Sequence, residues 1–328
     1  MRVGVIGAGA VGGAIAALLA RAGHEVEVTA RGAHLAAIRE HGIRLTGGWG
    51  EYTATVEAAE HFTHVPELVI VATKAHDAAD AIRDNQRLVR GIPLLVIQNG
   101  LDAIATAKTA SPRSDVVGGL ALFASSYLRA GHIAVTTPGQ LYVGVDSVND
   151  LPARYVVRAL GDVIPTTLVN NFRGAQWTKL VINQVNALPA ITGLSVQDVI
   201  AHPGLRRIVT ASMRENVRIG LASGVHFEKL QGLNHGGLWM FAKLPLAVGQ
   251  LLPSLLRSRL GEVPNPGSTL QSVRRGQSTE IDYLNGAVVR AAAAIGRTAP
   301  VNAALVSLVH EGEASGEFTT VADVLRRF

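Results

Sequence analysis

The sequence predicts an α/β N-terminal domain with a mixed sheet over residues 1–171, followed by an all-α C-terminal domain over residues 172–328. Three observations predict it. Short β-branched runs alternate with Ala-rich helical stretches up to about Asn171, strand spacing shortens to turns after Val116, and strand signals nearly vanish beyond Arg173. The chain has 328 residues, more than a single core usually holds, so two domains are the natural division.

In chain order, VGVIG is followed by a helix, EVEVTA, IRLTG, ELVIVAT, a second helix and PLLVIQN. Such alternation signals βαβ units and a parallel sheet covered on both faces. GGLALFASSY, HIAVTTPG and QLYVGV are then separated only by turn-like Arg129-Ala130-Gly131 and Pro138-Gly139. This end of the sheet is expected to be antiparallel. QWTKLVINQVNAL, RIVTASMRENVRIGLAS and EIDYLNGAVVRAAAAIG carry the helical periodicity of the second domain. No internal repeat is visible, and the linker-like stretch from Gly261 to Gly267 lies inside that domain. The most apolar stretch, Gly236 to Leu260, is interrupted by Lys243, Pro245, Gln250 and Pro253, which predicts buried or interfacial helices rather than a membrane span.

Composition narrows the chemistry. With no cysteine, a disulfide scaffold, a thiolate metal site and a cysteine nucleophile are excluded together. The histidines lack metal-ligand spacing and no Gly-x-Ser-x-Gly elbow occurs, so neither a metal centre nor a serine hydrolase is expected. The net charge of +5 comes from dispersed Arg and Lys, which predicts no nucleic-acid partner. The N-terminus runs straight into a strand with no leader pattern, so a cytoplasmic location is expected.

Between the strand from Arg2 to Ile6 and a helix with Val11, Ile15, Leu18 and Leu19 on a 3.6-residue period lies Gly7-Ala8-Gly9-Ala10-Val11-Gly12. In that context Gly-x-Gly-x-x-Gly is the fingerprint of a Rossmann-type dinucleotide site. Gly7 permits the tight turn, Gly9 lets the backbone approach a pyrophosphate, and Gly12 lets helix and strand pack closely. A glycine-rich turn without a ligand is the plainer alternative. The second strand ends in Arg31 rather than an acid, which favours the 2′-phosphate of NADP(H) over the ribose hydroxyls of NAD. Glu25 and Glu27 alternate within the strand, and a solvated loop cation is the other reading of Arg31. Lys74 and Asn99 follow later strands, at the sheet edge where ligands bind. Position alone equally fits a solvated lysine and a turn-forming asparagine.

In the helical domain Lys179, Asn183 and Asn186 fall on one helix face, among Trp177, Leu180, Val181, Ile182, Val185 and Leu188. Polar groups on a largely buried helix are costly, so the stripe serves either chemistry or a polar interhelical contact. Glu280 opens a later apolar helix, where an acid by itself does no more than complement the helix dipole.

Taken together, GAGAVGG, Lys74, Gln98-Asn99-Gly100, Trp177-x-Lys179-x-x-x-Asn183, Ser268, Arg275-x-x-x-Thr279-Glu280-Ile281-Asp282-x-x-Asn285-Gly286 and Pro300-Val301-Asn302 resemble the ketopantoate reductase family, in order along nearly the whole chain. The resemblance implies reduction of a small 2-oxo acid by NADPH in a cleft between the two domains, with 2-dehydropantoate to pantoate the first reaction to consider. It implies Lys179 as the proton donor and Glu280 as the acidic partner that helps hold the lysine and contacts the cofactor. Asn99, Asn183, Asn186 and Ser268 match positions that bind substrate hydroxyl and carboxylate groups. Three features depart from the family pattern. Asn183 and Asn186 are three apart where four is usual, which turns one of them by about 100° unless the helix is locally distorted. Ser272 stands where an aspartate is common, and the stretch from His226 to Pro266 is long. A bulkier 2-oxo acid is therefore a second expectation, and a non-catalytic NADP-binding sensor is a third, against which Lys179 and Glu280 together speak. The insert at 226–266 suits either a dimer surface or a lid, so a homodimer stays open. No nucleic acid or membrane partner is expected.

Overall fold

A computed structural model describes residues 1–258, 260 and 264–328. Arg259 lies outside the described residues, as do Gly261, Glu262 and Val263 of the linker-like stretch. The chain forms two compact units, Met1–Phe172 and Arg173–Phe328.

The first unit carries twelve strands: β1 (Arg2–Ile6), β2 (Glu25–Thr29), β3 (Ile43–Gly47), β4 (Tyr52–Ala54), β5 (Glu57–Ala59), β6 (Leu68–Val71), β7 (Leu94–Ile97), β8 (Val116–Ala121), β9 (Ala124–Arg129), β10 (His132–Thr137), β11 (Leu141–Gly144) and β12 (Thr166–Leu168). Eight form a sheet in the order β12-β11-β8-β7-β6-β1-β2-β5. From β5 through β8 every pairing is parallel, while β11 runs antiparallel to β8 and β12 parallel to β11. The sheet is thus mixed, as its sequence spacing predicts. LVIV of β6 and LLVI of β7 are buried at every position, the unbroken apolar run that a doubly covered parallel strand requires. Parallel pairing brings the residues after β1, β2, β6 and β7 to one edge, so Gly7, Arg31, Lys74 and Asn99 all follow strands that end there.

One expectation is corrected. The runs IRLTG, ASSYLR and HIAVTT do not extend the main sheet. They form β3, β9 and β10 of a separate four-stranded sheet, in the order β4-β3-β10-β9. The helix Ala10–Arg21 explains why, because every residue from Gly12 to Leu19 is buried. A helix that is apolar all round needs cover on both sides. β1 and β2 pack on it from the main sheet, and the small sheet packs on it as well. Gly13 makes that approach close, since a Cβ there would lie 3.0 Å from Cγ1 of Ile133 in β10.

The second unit is helical, and the bridge between Leu230 and Leu233 is the sole isolated β-pairing among its described residues. Its longest helix, Pro203–Ala222, buries Leu205, Ile208, Val209, Ser212, Met213, Asn216, Val217 and Gly220. Gly220 is small for a reason. A Cβ there would fall 2.7 Å from the Phe227 ring and 3.0 Å from that of Trp177, so the glycine seats the helix Phe172–Asn183 against the long helix. The apolar insert folds as His235–Lys243, Leu246–Gly249 and Leu251–Ser258. Asn234 caps the first of these through Gly237 N–H at 2.9 Å, and Arg214 and Arg218 each donate Nε–H to the Ala242 carbonyl at 3.1 Å. Leu238, Phe241 and Ala242 are buried while Trp239, Met240, Leu251 and Leu255 are exposed. No helix among the described residues is long and apolar enough to cross a membrane.

Candidate active site

The glycine loop is built from backbone. Gly7 has φ +92°, and a Cβ there would meet Thr73 backbone nitrogen at 2.9 Å. At Gly12 a Cβ would sit 2.1 Å from the Gly7 carbonyl oxygen, so only glycine lets the helix start this close to β1. Gly9 differs from both: its φ is an ordinary −68°, and an added Cβ would meet nothing within 4 Å. Neither strain nor protein packing demands glycine at Gly9, whereas close approach of a ligand to the backbone would. Gly9 is also the N-cap of Ala10–Arg21, with no side-chain cap and no acid in the first turn. The N–H groups of that turn and the positive end of the helix dipole suit a pyrophosphate.

Two side chains hold the loop. Thr29, at the end of β2, accepts the Gly7 N–H on Oγ1 at 3.0 Å. The His34 Nδ1 accepts the Gly131 N–H at 3.0 Å, which leaves the proton on Nε2 to be donated to the Ala8 carbonyl at 2.7 Å. His34 thereby ties the loop to the turn between β9 and β10, a link that no local sequence signal announces.

The acids of β2 are engaged elsewhere. Glu25 pairs with Arg2 at 2.8 Å. Glu27 is buried and accepts the N–H and hydroxyl of Thr63 at 2.6 and 2.8 Å and the His64 N–H at 3.2 Å, which anchors the loop before β6. Arg31 stands just past the strand as the N-cap of Gly32–His41, exposed, with Nη2 3.4 Å from Asp84 Oδ2. On the same edge, with β1 and β6 between it and Arg31's strand, Gln98 spans the ends of β6 and β7 by donating to the Thr73 carbonyl at 3.2 Å. Lys74 and Asn99 flank that cross-link and are both partly buried.

In the second unit, Lys179 lies on the helix Phe172–Asn183. Burial pushes its ammonium pKa down from 10.5 to about 8, and the negative charge of Glu280 opposes part of that fall. Glu280 does not open an α-helix. It precedes the 3₁₀ turn Ile281–Tyr283, and the α-helix starts only at Asn285. Leu284 has ψ −95°, outside helical geometry, which separates the 3₁₀ turn from the α-helix, and the Thr279 N–H just before Glu280 is taken by the Glu313 carboxylate at 2.7 Å.

The helix bearing Lys179 changes character after Asn183, where Gln184–Asn186 form a 3₁₀ turn. Residues three apart eclipse in a 3₁₀ turn, so the shortened spacing still leaves Asn183 and Asn186 on one side. Asn186 rests on Gly267, where a Cβ would fall 2.5 Å from its Oδ1. The next residue, Ser268, is exposed in the first turn of Gly267–Arg274. Lys179 is thus grouped with Glu280 by charge, and Asn186 with the helix of Ser268 by packing. Ser272 is buried, with its hydroxyl 3.3 Å from the Ser268 carbonyl.

Two family descriptions cover most of the chain: "Ketopantoate reductase PanE/ApbA" matches residues 3–147 and "Ketopantoate reductase PanE/ApbA C terminal" matches residues 171–313. The chain belongs to the ketopantoate reductase family. It is an oxidoreductase. Among similar curated proteins is the 2-dehydropantoate 2-reductase of Pyrococcus abyssi, 26% identical, with 96% of this chain and 98% of the relative aligned. A structure of a PanE/ApbA family ketopantoate reductase from Ralstonia eutropha JMP134 superposes with TM-score 0.80 at 28% identity, over 96% of this chain and 99% of that one. D-mandelate dehydrogenase in a ternary structure with NADH and anilino(oxo)acetate has the same fold, with TM-score 0.81 at 19% identity over 96% and 99% of the two chains.

Sequence patterns do not point to Thr29, His34 and Gln98 as supports of this reductase's glycine loop and sheet edge. A threonine ending β2 and a glutamine ending β7 are weak signals in hindsight, and His34 has none.

Proposed function

We propose that the protein reduces a small 2-oxo acid to the 2-hydroxy acid at the expense of NADPH, with 2-dehydropantoate the foremost substrate. The observation that carries the reading is Lys179, an ammonium brought to a pKa of about 8 within reach of the Glu280 charge. A proton donor works best when its pKa lies near the working pH.

NADPH, when bound, supplies the hydride that reaches the 2-carbon of the substrate. The chain's own residues do the rest. Gly7, Ala8, Gly9, Ala10, Val11 and Gly12 cradle the pyrophosphate, and Lys74 and Asn99 serve the same sheet edge. The Lys179 ammonium donates its proton to the 2-oxo oxygen as negative charge develops there, and its positive charge stabilises that oxygen beforehand. Glu280 keeps the lysine protonated at neutral pH and contacts the cofactor. Asn183, Asn186 and Ser268 bind the substrate's carboxylate and hydroxyl, with Asn99 contributing from the sheet edge. NADPH is preferred over NADH because Arg31 ends β2 while Glu25 and Glu27 have other partners, a pattern suited to a 2′-phosphate.

A bulkier 2-oxo acid is the second reading. Its motive is the apolar insert at 226–266, which carries a pocket of about 220 Å³ lined by Leu233, Leu238, Phe241, Leu244, Val248 and Leu252. NADPH oxidation followed with 2-dehydropantoate beside aryl and branched 2-oxo acids separates the two. Faster turnover of 2-dehydropantoate per unit KM is expected, and equal or slower turnover overturns the assignment.

A further inference from the structure

Four polar side chains meet inside the helical unit. Gln184, Ser212, Asn285 and Asn302 are each no more than 1% exposed. Asn285 Nδ2 donates to Gln184 Oε1 at 2.7 Å and to Asn302 Oδ1 at 2.9 Å, one proton for each. The single hydroxyl proton of Ser212 is offered to the same two oxygens, at 2.7 and 2.9 Å. Gln184 Nε2 donates to the Leu180 carbonyl at 3.1 Å. Asn302 Nδ2 donates to Glu215 Oε2 at 2.8 Å, and the Glu215 carboxylate also accepts the N–H groups of Val301 and Asn302, at 2.9 Å each.

As a stabilising device this cluster is a poor choice. It leaves Asn285 Oδ1 buried without a partner, and well-packed apolar side chains would fill the same space without that cost. Where the four residues are attached is more telling. Gln184 begins the 3₁₀ turn that lies between Asn183 and Asn186, five residues beyond Lys179. Asn285 opens the helix that follows Glu280 and its 3₁₀ turn. Ser212 and Asn302 belong to Pro203–Ala222 and Pro300–Ser315, two long helices that serve as the frame. The Gln184–Asn285 hydrogen bond therefore joins the segment carrying the lysine and asparagines directly to the segment carrying the glutamate.

We infer that Gln184 and Asn285, braced by Ser212 and Asn302, are positioning residues that set Lys179, Asn183 and Asn186 against Glu280. The inference rests on the reading of Lys179 as the proton donor. A 3₁₀ turn is less well hydrogen-bonded than an α-helix and needs outside support. Released into α-geometry, Asn186 would turn about 60° relative to Asn183, and the tie to the Glu280 segment would be lost with it.

The test uses the full-length enzyme with NADPH and 2-dehydropantoate. Gln184→Met keeps side-chain length and removes the acceptor, Asn285→Leu removes the donor, and Ser212→Ala removes one brace with no added bulk. Gln184→Met is expected to lower kcat roughly tenfold and raise the KM for 2-dehydropantoate, in line with the sensitivity of catalysis to small misplacements, with a smaller change in the Kd for NADPH, which rests mainly on the glycine loop. The alkaline limb of its pH profile should move to lower pH, because Glu280 then supports the charge on Lys179 less well. The double variant Gln184→Met/Asn285→Leu should be no worse than the worse single, as for two ends of one link. Ser212→Ala should show the same pattern more weakly and decides the matter if the larger changes prevent folding. A lowered Tm with kcat, KM and alkaline limb all as in the wild type overturns the inference. Lys179→Ala, measured beside them, separates the two levels. If it retains turnover, the proton-donor reading fails; if it loses turnover while Gln184→Met and Ser212→Ala do not, that reading stands and the positioning role fails.

Discussion

The two functional regions are built by opposite means. The glycine loop presents backbone N–H groups and excludes side chains, whereas the lysine region presents side chains and depends on what lies behind them. Gly7 and Gly12 are fixed by contacts of 2.9 and 2.1 Å that an added Cβ would make with neighbouring backbone. Lys179 and Asn183 are aligned by the helix Phe172–Asn183, and Asn186 is carried onto their side by a 3₁₀ turn whose first residue is bonded to groups 28 and 101 residues away. A site made of backbone can be specified within one turn of chain. One made of aligned side chains needs an interior to hold it.

The largest effect should separate chemistry from cofactor binding. Lys179→Ala is expected to cost at least about 100-fold in turnover, the scale of a general acid, while the NADPH Kd stays within about twofold. In the wild type the reductive rate should be level at neutral pH and fall as pH rises through about 8, because the donor is the protonated lysine and its pKa lies there. A rate that rises through this range would break the assignment of Lys179 as acid.

Next come the two glycines, which test the claim that the first region is shaped by both fold and ligand. Gly12→Ala drives a Cβ into the Gly7 carbonyl and should cost about 1–3 kcal/mol of stability as overpacking does, together with NADPH binding. Gly9→Ala meets no protein atom, so its Tm should hold or rise slightly. NADPH affinity should nevertheless fall about tenfold, since close approach of the pyrophosphate needs the bare backbone. Thermal melts and fluorescence titration of NADPH distinguish the pair, and unchanged affinity in Gly9→Ala would remove the cradle.

The smallest effect concerns a side chain at the rim of the backbone site. Arg31→Asp should shift preference from NADPH toward NADH by about tenfold, the worth of one charge-assisted contact at an exposed position. Paired kcat/KM values for the two cofactors measure it. An unchanged ratio would mean that Arg31 serves only its ion pair with Asp84.

Much of the fold is legible in the sequence because its cues are local. The apolar runs of β6 and β7, the loop from Gly7 to Gly12 and the loss of strand signals beyond Arg173 each lie within one short window. The second sheet is not legible in this way. ASSYLR and HIAVTT carry ordinary strand patterns, and what assigns them to β9 and β10 beside β3 is the second apolar face of Ala10–Arg21, which periodicity cannot allot to one sheet or another. Glu280 shows the same limit. Its neighbours read as a helix start, but Leu284 takes ψ −95° and the α-helix begins only at Asn285, whose side-chain amide is bonded to Gln184, 101 residues away.

By itself the sequence determined the alternation of elements, the glycine loop with Arg31 at the next strand end, and the presence of Lys179, Asn183, Asn186, Ser268 and Glu280 in family order. Each of these is a matter of residue type and short-range spacing, which act before the chain is packed. Tertiary structure alone decided that the turn after Asn183 is 3₁₀, which sets Asn186 more nearly in line with Asn183 than α-periodicity would. It did so through Gln184, Ser212, Asn285 and Asn302, because buried amides must find partners, and the partners available lie on helices that only the folded unit brings together.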